Sequence, residues 1–115
     1  MIRVHDIYLA SFLREETDDE DNPISIYDKP ISLECSLNSL NGDYDIAMYG
    51  DRVTKMCKTV LDYEEWIDKI KEKDVVYLYG TTPDNEKVNG MDANYHVKSV
   101  LPQNLKILVY FEKRI

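Results

Sequence analysis

The stretch NLKILVYFEKR, residues 104–114, is apolar at every position from Ile107 to Phe111. Successive side chains of a strand point to opposite faces, so an unbroken apolar run needs cover on both sides, whereas a strand with one wet face alternates. Ile107, Val109 and Phe111 would share one face, and Leu108 and Tyr110 the other. KDVVYLYG, residues 73–80, makes the same demand: if Val76 and Leu78 face the core, Tyr77 and Tyr79 face away from it. Covering material is scarce in 115 residues. A second apolar face larger than a monomer ordinarily exposes marks either a partner surface or the seat of a short helix, which makes Tyr77, Tyr79, Leu108 and Tyr110 candidate subunit-interface residues.

Between these runs lies ANYHVKSVLP, residues 93–102, also rich in β-branched and aromatic residues, and the three together read as a meander. Pro83-Asp84-Asn85 and Asn89-Gly90 give turn chemistry to a connection long enough to project, at about 81–92, while Pro102-Gln103-Asn104 supplies the second turn. Further back, Ile31, Leu33, Cys35 and Leu37 alternate with Ser32, Glu34 and Ser36, which predicts a half-buried strand. Residues 2–13 suit a first strand because nothing caps a helix there. Ile24 and Ile26 form a short run that stops at Asp28-Lys29-Pro30. Around Trp66, residues 64–71 read as a polar turn or one helical turn that sets the indole on a core edge.

Residues 43–61 admit two readings. Ile46, Tyr49, Val53, Met56, Cys57, Val60 and Leu61 recur at spacings of three and four, a helical stripe. Gly50, however, is a natural helix stop, and a short helix at 43–49 followed by a strand through Met56, Lys58 and Val60 fits as well.

Composition narrows the function classes. The length supports a single domain, 1–115, with one core. An apolar fraction of 43% and a charged fraction of 31%, without the ~20-residue apolar run that spanning a bilayer requires, lead us to expect no membrane association. The opening residues lack a basic region, apolar region and cleavage site in sequence, so no secretory signal is expected and the compartment is a cytoplasm. Cys35 and Cys57 sit in no metal-binding spacing and are expected to be free core thiols. The net charge of -8 argues against gripping a nucleic-acid backbone as the main task, although it leaves room for a local basic patch. The densest charge run is REETDDEDNP, an acidic loop at about 14–23, which reads as a solvated loop or as a binding element built on Glu15, Glu16, Asp18, Asp19, Glu20 and Asp21.

No phosphate loop, nucleophile elbow or HExxH motif is present, and no catalysis, cofactor or metal is expected. His5 and His96 are the only imidazoles, and His96 reads as a rim histidine. A Cys57-His96 pair can be drawn, but nothing supplies an orienting third group. More notable are nine tyrosines, a residue type that packs cores and also enriches protein interfaces.

The order of these elements, with LNSLNGDYDIAMYGDRVTKMCKTV, KEKDVVYLYG and ANYHVKSVLPQNLKILVYFEKR and above all the MYGDRV and VYFEK stretches, resembles the small neck proteins of tailed bacteriophages. The group in question is the head-tail connector, head-completion or stopper family, and the likeness runs from about Tyr8 to Lys113. It implies a mainly β fold, a small antiparallel β-barrel with one short α-helix, in which residues 51–61 form a strand. It also implies self-association into a ring beneath the portal and its adaptor. Such a ring closes the DNA-filled head, offers a docking surface to the tail, and passes DNA without specific binding. The implied location is the host cytoplasm during assembly and then the virion neck. Ring neighbours would cover the second apolar face, Leu108 and Tyr110 contributing one patch of a head-to-tail contact. On this reading the acidic loop, Glu15 to Asp21, faces the lumen and repels exiting DNA, or reaches a tail or adaptor protein. Alternatives are a tail-completion protein of the next ring, and an acidic DNA mimic that inhibits a host DNA-binding enzyme.

Overall fold

The computed structural model describes residues 4–40, 42–78 and 93–114. The chain is mainly β, a curled antiparallel half-barrel with one short helix. Strands β1 (Val4–Ala10), β2 (Phe12–Thr17), β3 (Pro23–Tyr27), β4 (Ile31–Ser36) and β5 (Asn38–Ser39) lead to helix α1 (Asp43–Tyr49) and a 3-10 segment, η1 (Gly50–Lys55). Strand β6 (Met56–Asp62), a helical turn α2 (Tyr63–Trp66), and strands β7 (Val75–Tyr77), β8 (Tyr95–Gln103) and β9 (Lys106–Lys113) complete it.

Seven strands pair in the order β4-β1-β7-β8-β9-β6-β5, and β2 with β3 forms a separate hairpin. Only Leu37 separates β4 from β5, yet these strands stand at opposite ends of that order. One residue therefore ties the two edges together, and the sheet has to curl. The concave side takes one residue in two from each strand: Ile7, Leu9, Leu33, Cys35, Cys57, Leu61, Val76, Leu78, Val97, Ile107, Val109 and Phe111 form the main core. Trp66 packs against its edge, as the sequence suggested. Cys35 and Cys57 are buried free thiols.

The described parts of these runs, 73–78 and 104–114, do carry apolar residues on both faces, and the chain itself covers Tyr77 and Tyr110 on the second face. Tyr77 is 1% exposed, in a small cluster with Ala10, Val75 and Ala93 against which Tyr8 and Tyr27 pack. Tyr110 is likewise 1% exposed, clustered with Leu40 and Met56 beneath Tyr49 and Val53 of the α1–η1 segment. Both tyrosines therefore leave the set of open interface candidates. Leu108 is half-buried against the Tyr110 cluster, and Tyr79 and the connection at 81–92 lie outside the described residues.

Other expectations shift by a few residues. Helix α1 ends at Gly50, whose φ of 56° a residue with a Cβ rarely adopts and whose N–H donates to the Ile46 carbonyl. The strand expected over 51–61 begins only at Met56, because residues 50–55 tighten into η1 after that stop. The first segment breaks at Ser11 between β1 and β2. The acidic loop is in fact a hairpin, with Glu15 and Glu16 inside β2. Pro102 and Gln103 belong to β8, and the turn is Asn104-Leu105, with Asn104 at φ 54°. Proline is tolerated there because, among the described residues, β7 pairs with β8 only at Tyr95 and His96, so no described strand takes a bond from Pro102 on that side.

Two polar side chains replace missing ladder bonds. The Asp74 carboxylate, 3% exposed, accepts N–H bonds from Phe12 at 2.8 Å and Lys71 at 2.9 Å, and so pins the hairpin base to the start of β7. Burial pushes its carboxyl above the usual range. Past the last β7–β8 pair, Asn94 bonds both the N–H (2.9 Å) and the carbonyl (3.0 Å) of Leu78 and acts as a surrogate strand residue. Asp74→Ala leaves the part-buried N–H groups of Phe12 and Lys71 without this acceptor and is expected to cost about 1–3 kcal/mol in denaturant unfolding.

Candidate assembly surface

The convex side of β6, β9 and β8 presents three cross-strand rows: Val60, Leu108 and Leu101; then Lys58, Tyr110 and Ser99; then Met56, Glu112 and His96. Helix α1 lies over the middle row through polar groups. Asp45, 2% exposed, accepts a hydrogen bond from Tyr110 Oη and another from Lys58 Nζ, each at 2.7 Å. Tyr49 stacks at a tilt on Tyr110, 5.1 Å between ring centres, and its hydroxyl bonds Ser99 Oγ at 2.9 Å. Burial alone would raise the Asp45 carboxyl, but the bonds from Lys58 and Tyr110 outweigh it and hold it below the usual carboxylate range. Burial and the Asp45 carboxylate push the Tyr110 phenol up. In the third row Arg52 of η1 grips both Glu112 oxygens, and His96 Nε2 lies 3.2 Å from one of them. The Arg52 bonds lower the Glu112 carboxyl, which keeps the fork charged.

This arrangement inverts the helix. An ordinary surface helix turns its apolar stripe inward. Here the fully buried residue of α1 is Asp45, whereas Tyr44, Ile46 and Met48 are 58%, 50% and 53% exposed. Ile46, which the helical stripe placed in the core, points out because Asp45 takes the inward position. Val60, in the first row, is 55% exposed as well. The convex face and the helix upon it thus offer water a set of large apolar side chains, and such surfaces normally mark a partner site.

A second feature is the acidic β2–β3 hairpin. Its turn is shaped by the Asp18 carboxylate, which accepts N–H bonds from Glu20 and Asn22, both at 2.9 Å. Those backbone bonds lower the Asp18 carboxyl. Glu15, Glu16, Asp19, Glu20 and Asp21 are exposed with it, and Arg14, bonded to Glu16 at 2.6 Å, is the only cation in the 14–23 run.

The third feature is basic. An open groove of about 560 Å³ is lined by Arg52, Lys55, His96, Glu112, Lys113 and Arg114. It adjoins a second hollow, walled by the hairpin-base residues Phe12, Glu15, Ser25 and Tyr27, with which it shares His96 and Arg114. Four cations around one carboxylate make this a positive patch on a chain whose net charge is -8. Three separate segments build it, and no linear motif announced it.

The Cys57–His96 pair does not come together. In register, Cys57 pairs with Phe111 in the core row, while His96 pairs with Glu112 in a convex row, so the two lie on opposite faces of the sheet. Among the described residues no group of three or more His, Cys, Asp or Glu side chains is placed to hold a metal. No helix among them is long and apolar enough to cross a membrane. Comparison with protein-family models, curated proteins and solved structures finds no match to this chain.

Proposed function

We propose that the chain is a structural neck protein of a tailed bacteriophage, assembling as a ring between portal or adaptor and tail, closing the filled head and presenting the tail-docking surface. The observation that carries an assembly role is the inverted helix, which buries a carboxylate and leaves Tyr44, Ile46 and Met48 on the surface. A protein that works alone gains nothing from exposed Tyr44, Ile46 and Met48, whereas a ring subunit covers them with its neighbours. Support for placing the assembly in a phage neck comes from the sequence resemblance, with which the curled β-sheet and single short helix agree. In this reading the acidic hairpin is a contact arm, and the chain performs no chemistry.

Immunogold labelling of particles in lysates of the encoding phage tests the location. Gold at the head-tail junction is expected, gold confined to isolated tails would indicate a tail-completion protein instead, and absence from particles would refute a virion role. Met48→Lys tests the surface. It is expected to change unfolding free energy by no more than about 0.5 kcal/mol, as exposed substitutions usually do, yet to abolish incorporation into particles.

A further inference from the structure

We infer that the basic groove lined by Arg52, Lys55, His96, Lys113 and Arg114 is the socket for the acidic β2–β3 hairpin of a second copy of this chain. The inference rests on the ring reading and supplies its subunit contact. The charges are complementary: one arginine against six carboxylates over residues 14–23, and four cations around Glu112 in the groove.

The hairpin turn does not line the groove of its own chain. Glu15 and Ser25, which pair across the hairpin near its base, already border the adjoining hollow. From there the strands run to the last pair, Thr17 and Pro23, roughly 7 Å further along the arm at about 3.3 Å per residue, with the turn beyond it. The turn carboxylates Asp18, Asp19, Glu20 and Asp21 form no ion pair among the described residues, which leaves them open to the cations of another molecule. Lys55 and Lys113 are exposed and form no ion pair among the described residues, so they are available for that contact. Arg52 is already committed to Glu112 and acts as the rigid wall of the socket. An arm on one copy entering a different patch on the next is a head-to-tail contact, the kind that closes into a ring.

Such a contact requires local charge to overcome the mutual repulsion of two acidic chains. Near physiological ionic strength the screening length is about 8 Å, so carboxylates seated in the groove act at full reach while distant like charges are damped.

Sedimentation of the full chain near 0.15 M and near 0.5 M salt tests this, together with a charge swap. Self-association that weakens at the higher salt is expected. Lys55→Glu with Lys113→Glu, or Asp19→Lys with Glu20→Lys, should each weaken it by at least about tenfold. These positions are exposed and none shapes the hairpin turn, and circular dichroism verifies that each variant folds. Mixing the two reversed proteins should restore association, which general destabilisation would not do. A wild-type chain that stays monomeric, reversed variants that associate as wild type, or short duplex DNA that occupies the groove while leaving association intact would each overturn the contact. Gold labelling separates the two levels: label at the neck with a failed swap removes only the socket, whereas no label removes the ring.

Discussion

Asp45→Ala is expected to lower the unfolding free energy by about 3 kcal/mol, the largest effect expected of a single polar substitution among the described residues. Removing one member of a buried charged pair leaves its partner uncompensated, at roughly 3–5 kcal/mol. The lower end applies because the Lys58 side chain keeps 28% of its surface in water and can rehydrate. Tyr110→Phe removes only the hydroxyl and is expected to cost about 1 kcal/mol. Denaturant unfolding of both single variants and the double variant gives the coupling, which should be well above zero because Asp45 and Tyr110 are bonded directly.

The same group gives a pH signature. The Asp45 carboxyl is lowered in the folded chain, so its contribution is present above the ordinary aspartate value of about 3.9 and is lost as pH falls through the depressed folded value. Glu112, also lowered, acts in the same direction with a smaller weight because its partner Arg52 is exposed. Asp74 is raised, so its contribution is present at low pH and is lost as pH rises through its raised value. Wild-type stability should therefore fall on acidification below about pH 4, and Asp45→Asn should flatten that fall while lowering the plateau.

Tyr77→Ala is expected to cost about 3–5 kcal/mol, the range for deleting a large buried aromatic. The test bears on how a sheet with two apolar faces is stabilised. If the isolated chain left this face for a neighbour, the substitution would matter only in the assembly. With Tyr77 packed among Ala10, Val75, Ala93, Tyr8 and Tyr27, the loss should appear in the monomer, measured by thermal or denaturant unfolding. Val60→Ala, on the open part of the convex face, should by contrast change monomer stability by no more than about 0.5 kcal/mol.

Where local chemistry decides the backbone, the sequence was legible. Alternation gave β4 and the β-branched and aromatic runs gave the β7–β8–β9 meander, while the end of α1 at Gly50 and the helical turn before Trp66 were each one of two readings that the residues allowed. What covers the second face of β7 and β9 was not legible. Tyr27, Tyr8 and the α1–η1 segment come from distant parts of the chain, and periodicity cannot say which element returns to which face. The 43–61 stripe misled at Ile46 because helical spacing reports an apolar arc and not its direction, and here the Asp45–Lys58–Tyr110 bonds decide which side faces in. Glu15 and Glu16 looked like loop residues because charge masks a strand that has no buried face to reveal it. The basic groove draws on residues 52–55, 96 and 112–114, which only the pairing of β6, β9 and β8 brings together. Of the interface candidates, the acidic hairpin stayed at the surface, whereas Tyr77 and Tyr110 were absorbed by the chain's own packing.

The measurement with the greatest reach is electron microscopy of lysates from the encoding phage or induced prophage with an early nonsense codon in this gene. A neck subunit that closes the head should leave free tails beside heads that have lost their DNA, with both restored by the wild-type gene supplied in trans. Filled heads with tails attached would contradict the neck assignment and turn attention to an acidic inhibitor of a host enzyme.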